Sequence, residues 1–164
     1  MIALARIDER LVHGQVLVGW VPHLGAVEVV VADGDAARSP LARAAMTLAL
    51  PPGVGARVEP PGAIDWAGLA DAKEPVLVVL RGVGEAEQAL AAGMTPGRVG
   101  TINLGNVHHA QGRRQVTPSV FLSAAELEGL RRLAAAGFRV EARAVPLDAP
   151  LDLAEVERRW AASG

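Results

Sequence analysis

Short runs of Val, Ile and Leu alternate with longer Ala- and Leu-rich stretches along the whole chain, and this alternation limits the folds open to it. The runs are Ile2–Ile7, Val27–Ala32, Val54–Val58, Val76–Leu80, Val99–Leu104, Val116–Leu122 and Phe138–Val145. They are mostly continuous rather than alternating in polarity, so both faces of each strand must be covered, as in parallel sheets. The intervening stretches have helical spacing at about Gly14–Leu24, Arg38–Leu50, Glu85–Ala92, Ala124–Ala136 and Leu151–Ala162, with a weaker version at Ile64–Ala72. Strand–helix alternation predicts an α/β fold: three layers, doubly wound, with a mainly parallel sheet and helices on both faces.

Several element ends are marked. Ser123-Ala124-Ala125-Glu126 fits a capping box, and Gly137 and Gly93 sit where helices should stop. Asp35 is placed to cap the second helix, and Glu85 and Glu87 fall in a first turn, where acids suit the dipole. Pro51-Pro52-Gly53 and Pro60-Pro61-Gly62 read as turns. The 164 residues suit one domain, residues 1–164.

Composition removes whole classes of function. Without cysteine there is no disulfide, thiol nucleophile or thiolate metal site. Sixteen basic against eighteen acidic residues leave no basic excess to hold a nucleic acid. No apolar stretch approaches the ~20 residues of a membrane span, and Met1–Ala5 is too short for a signal peptide. A soluble, cytoplasmic protein is expected.

Open α/β sheets bind ligands beyond the carboxyl ends of their strands, near the point where strand order reverses. The loop after the first run is therefore the first place to look, and it reads Asp8-Glu9-Arg10-Leu11-Val12-His13-Gly14-Gln15, with Arg6 just upstream. The helix that follows His13 has no Ser, Asp or Glu in its first turn, so its free amides, those of Gly14 and Gln15 included, can meet a phosphate. An imidazole there could itself carry a phosphoryl group. Arg6 or Arg10 could neutralise the transferred charge, and Asp8 could hold the ring in one tautomer. The plainer alternative is a solvated histidine among surface ion pairs worth about 0–1 kcal/mol each.

A second polar stretch, Asn103 to Arg114, follows the fifth run, and its Asn103 and Gly105 could line an anion site opposite His13. His108 and His109 are adjacent, so on a strand they would point opposite ways. No metal site is expected there. Arg113 and Arg114 suit either an acidic partner or a solvated loop. Trp20, Trp66 and Trp160 read as core or rim packing and His23 as a helix-end residue. Asp33-Gly34-Asp35 reads as a capped turn. Walker A, G-x-G-x-x-G and G-x-S-x-G signatures do not occur.

The segment Ala5-Arg6-Ile7-Asp8-Glu9-Arg10-Leu11-Val12-His13-Gly14-Gln15-Val16 resembles the opening of the mannose/fructose/sorbose family of enzyme IIB components of the bacterial sugar phosphotransferase system, whose pattern is R-I-D-D/E-R-L-I/V-H-G-Q-V. Leu50–Val54 is similar to the family's A-P-P-G-V segment, Asn103-Leu104-Gly105 to its N-V-G loop, and Gln111-Gly112-Arg113 to its Q-G-K/R segment. The resemblance implies that His13 accepts a phosphoryl group from the phosphohistidine of a IIA domain. His13 would then pass it to a sugar bound by the membrane components IIC and IID. Arg10 and Asp8 match the active loop. No cofactor or metal is implied, and a homo-oligomer is left open. After Gly105 transport members commonly continue Gly-Met, where this chain has Asn106-Val107-His108-His109. A regulatory phosphocarrier in a signalling relay would carry the same residues.

Overall fold

The computed structural model describes residues 1–164, the side chain of Arg98 excepted. The first four strands are β1 (Ile2–Asp8), β2 (Glu28–Ala32), β3 (Gly55–Glu59) and β4 (Val76–Leu80). They are followed by β5 (Thr101–Asn106), β6 (Arg114–Thr117), β7 (Val120–Leu122), β8 (Arg139–Ala142) and β9 (Leu151–Asp152). Seven of them form one sheet in the order β3-β2-β4-β1-β5-β8-β9, parallel throughout except for β9. β1 lies between β4 and β5, where the winding changes direction, so its carboxyl end opens at the switch point.

A π-helical turn (Gln15–Trp20) runs into α1 (Val21–Leu24), and α2 (Gly34–Arg38) and α3 (Pro40–Ala49) follow. A 3-10 turn (Pro61–Ala63) precedes α4 (Trp66–Asp71). The remaining helices are α5 (Val83–Ala91), α6 (Pro96–Val99), α7 (Ala124–Ala135) and α8 (Leu153–Ala162). Two apolar clusters separate by sheet face. Leu4, Val29, Val31, Leu77 and Val79 meet Val16, Trp20, Ala36 and Met46 on one side. Ile7, Val30, Val78, Ile102 and Val140 meet residues of α4, α5, α7 and α8 on the other. The three-layer, mainly parallel arrangement read from the sequence is present.

Local differences have identifiable causes. The run Val116–Leu122 is a hairpin turned at Pro118-Ser119, outside the main sheet, because proline cannot donate to a continued ladder. The helix expected at Arg38–Leu50 is α3, and a separate short helix, α2, precedes it. Asp33, not Asp35, caps α2 by accepting from Ala36 N at 2.7 Å, and Ser39 caps α3 from Ala42 N at 3.1 Å. The last run ends at Ala142 and the last helix starts at Leu153, because Asp152 takes the N-cap and Leu151 joins β9. The Ser123–Glu126 capping box forms at the start of α7, and Gly93 and Gly137 take the left-handed backbone beyond α5 and α7.

Candidate functional site

Strand alternation explains the floor of the site. Leu4, Arg6 and Asp8 point to one face of β1, and on that face the covering turn Gln15–Trp20 brings Trp20 against Arg6, its ring centroid 5.3 Å from the guanidinium carbon. Arg6 is fully buried. Its Nε and Nη2 donate to Asp8 Oδ2 at 3.1 and 2.9 Å, and Nη1 donates to Asn103 Oδ1 at 2.7 Å and to the Arg143 carbonyl at 3.1 Å. Burial pulls the Arg6 guanidinium below its ordinary range, against the pull of the Asp8 charge.

His13 closes this arrangement from above. Its Nε2 lies 2.9 Å from the same Asp8 Oδ2, so the carboxylate accepts from the ring. Asp8 Oδ1 accepts from Arg10 N at 3.1 Å. Nδ1 of His13 is covered and has no partner. The loop turns at Leu11, whose φ of 54° is uncommon for a non-glycine residue and whose side chain is anchored in the core. Gly14 precedes the π-helical turn with no side-chain cap, and Gly14 and Gln15 are exposed. A π-turn is frequent beside functional sites.

The site residues read from the sequence divide into two layers. Asp8 and His13 are in contact, and Arg10, Gly14 and Gln15 line the exposed rim. The Arg10 side chain has no hydrogen-bond or ion-pair partner among the described residues. Beside it opens a cavity of about 440 Å³, walled by Leu11, Asp35, Ala36, Met46 and Arg81.

Arg6, Asn103 and Gly105, expected from the sequence to line a phosphate site, lie underneath the loop and are buried. Four of the five N–H donors of Arg6 are taken within the protein. Asn103 is fully buried. A Cβ on Gly105 would stand 1.9 Å from Arg6 Cζ, so this position clears room for the guanidinium.

The histidine-rich loop is tied to the same end of the sheet by Glu9, which accepts from His108 N at 2.9 Å and lies 3.0 Å from His108 Nδ1. Arg113 bridges Glu9, at 2.7 Å, and Glu126, at 2.5 Å, so its charge is satisfied internally. Arg114 stacks over Trp160, and His109 meets Phe121 edge-on. Among the described residues no group of three or more His, Cys, Asp or Glu could hold a metal ion.

Arg143 was not picked out from the sequence. It follows β8, and its guanidinium carbon lies 5.4 Å from the centroid of the Trp20 ring, while its buried Nε has no partner. Its position after the strand Arg139–Ala142, at another carboxyl end, is the only signal the sequence offered.

Fold and site together define a class: a parallel α/β protein with a charged histidine loop at the switch point of its sheet. The family model described as the PTS system sorbose subfamily IIB component matches residues 2–161. The chain belongs to that family, whose members serve phosphotransferase-system sugar phosphorylation.

It is 33% identical over 153 residues to the N-acetylgalactosamine-specific phosphotransferase enzyme IIB component 2 of Escherichia coli K12, covering 93% of this chain and 96% of that one. Over 163 residues it is 28% identical to the mannose-specific EIIAB component of the same organism, and it spans only 48% of that longer protein. The crystal structure of manxB from Thermoanaerobacter tengcongensis superposes with a TM-score of 0.85 at 26% identity, over 98% of this chain and 96% of that one. No helix among the described residues is long and apolar enough to cross a membrane.

Proposed function

We propose that this protein is a histidine phosphocarrier that accepts a phosphoryl group on His13 from a IIA domain. It then delivers the group to a sugar held by the membrane components IIC and IID, while itself staying in the cytoplasm. The observation that supports this most directly is the state of the His13 ring. Asp8 engages Nε2–H, which leaves the Nδ1 lone pair without a partner.

In this reading Nδ1 attacks phosphorus, the P–N bond to the donor histidine breaks, and its electron pair returns to the donor ring. The new phosphoimidazole ring gains positive character, which the Asp8 carboxylate stabilises through Nε2–H. Arg6 holds Asp8 aimed at the ring through two hydrogen bonds. Arg10, unpaired at the rim, meets the phosphoryl oxygens, with the Gly14 and Gln15 amides beside it. Arg143, with its guanidinium unsatisfied beside Trp20, is a second cation for the same charge. Nδ1 is covered, so the strained loop at Leu11 shifts when a donor docks. Docking is transient, because the same loop must meet donor and acceptor in turn. The 28% identity to a mannose-specific EIIAB component supports a IIA domain as the donor.

The test is intact mass after incubation with phosphoenolpyruvate, enzyme I, HPr and a IIA domain. One acid-labile phosphoryl group is expected. No gain with a demonstrably phosphorylated IIA present would refute the reading. Arg10→Ala should slow transfer by about a hundredfold in both directions, and stopped-flow or quench-flow transfer at wild-type rates would move that role to Arg143.

A further inference from the structure

Beneath His13 a row of polar side chains crosses three strands. Arg6 on β1 stands opposite Asn103 on β5, and Asn103 stands opposite Glu141 on β8. All three are buried. Asn103 Nδ2 donates to Glu141 Oε1 at 3.3 Å and to the Arg143 carbonyl at 3.2 Å, while Asn103 Oδ1 accepts from Arg6. The other oxygen of Glu141 lies 3.7 Å from the exposed guanidinium of Arg139. A buried carboxylate with so few partners is costly to keep. Nothing in phosphoryl transfer touches it, so its place needs a reason.

The two ends of an asparagine amide have nearly the same shape, so only the chemistry of its neighbours orients it. Glu141 accepts and Arg6 donates. With Glu141 present, the Asn103 amino group faces β8 and its carbonyl faces Arg6. Without that acceptor the amino group keeps only the Arg143 carbonyl, which Arg6 Nη1 also uses, so less holds the amide against turning an N–H₂ toward the guanidinium. Arg6 would then lose a bond that holds its fork square to Asp8, and Asp8 Oδ2 is the atom that engages His13.

We propose that Glu141, acting through Asn103 and Arg6, is a positioning residue that keeps Asp8 and the His13 ring in register. It rests on the phosphocarrier reading of His13, but its first readout needs no phosphodonor. Ring ¹⁵N shifts of His13 in the unphosphorylated protein report which nitrogen carries the proton. Glu141→Gln keeps the size and an acceptor oxygen. Glu141→Leu keeps the size and loses the acceptor.

The Gln variant should show wild-type His13 shifts. The Leu variant should show mixed tautomers, with phosphoryl acceptance slowed roughly tenfold, a loss typical of removing a supporting hydrogen bond. Wild-type shifts in Glu141→Leu would overturn the proposal. If Glu141→Leu alone does not fold, the shifts of Asn103→Leu decide in its place: mixed tautomers support the proposal and wild-type shifts overturn it. Absence of phosphoryl uptake by the wild type would instead count against the phosphocarrier reading, whatever the shifts show.

Discussion

His13→Ala should abolish phosphoryl incorporation while the protein stays folded. The ring caps the buried row, with a side chain 9% exposed and outside both apolar clusters of the core, and its one hydrogen bond goes to a carboxylate already held twice by Arg6. Losing that bond should cost about 1.5–3 kcal/mol, less than the roughly 5–15 kcal/mol that holds a domain together. No other side chain in the loop offers an uncharged nitrogen nucleophile. His108 also lies at this end of the sheet, and its Nδ1 is engaged by Glu9. Intact mass with a phosphorylated IIA donor checks the result. A wild-type phosphoryl gain in His13→Ala would move the acceptor elsewhere, with His108→Ala the next variant to make.

Asp8→Ala should do the opposite kind of damage, to fold and chemistry together. Arg6 and Asp8 are both fully buried, and among the described residues Arg6 has no other carboxylate in contact. Removing one partner of a buried pair strands the other charge, at a cost of about 3–5 kcal/mol. The Arg10 amide and the His13 ring lose their acceptor as well. A marked fall in the urea midpoint is expected, with little phosphoryl transfer remaining under native conditions. Asp8→Asn should be milder in stability, because it keeps the shape and one acceptor oxygen, yet still impaired in transfer because the charge facing the ring is gone. A stability loss below about 1 kcal/mol in Asp8→Ala would show that water reaches Arg6.

What could be read in the sequence follows from which signals are local. Unbroken Val/Ile runs such as Val76–Leu80 name buried parallel strands without any tertiary information, and that strand is buried at every residue. The Ser123–Glu126 box names its own helix start. The polar loop after Ile7 was legible because ligands gather at strand ends. The burial of Arg6, Asn103 and Gly105 was not legible, because a polar residue near a strand end looks the same in sequence whether it faces a ligand or lies beneath one. Arg143 was invisible because it approaches Trp20 only once β8 has paired with β5.

Local sequence suffices for the layers, the helix ends at Ser123, Gly93 and Gly137, and the loop that carries His13, since each depends on residues within a turn or a strand of one another. The tertiary structure decided which charges face outward. Strand register sets Arg6 opposite Asn103 and Asn103 opposite Glu141, and the packing of Trp20 over Arg6 seals that row from water. Burial then forces each donor to find an acceptor inside the protein. That is why Arg6 supports Asp8 while Arg10, four residues later and outside the seal, is left free at the rim.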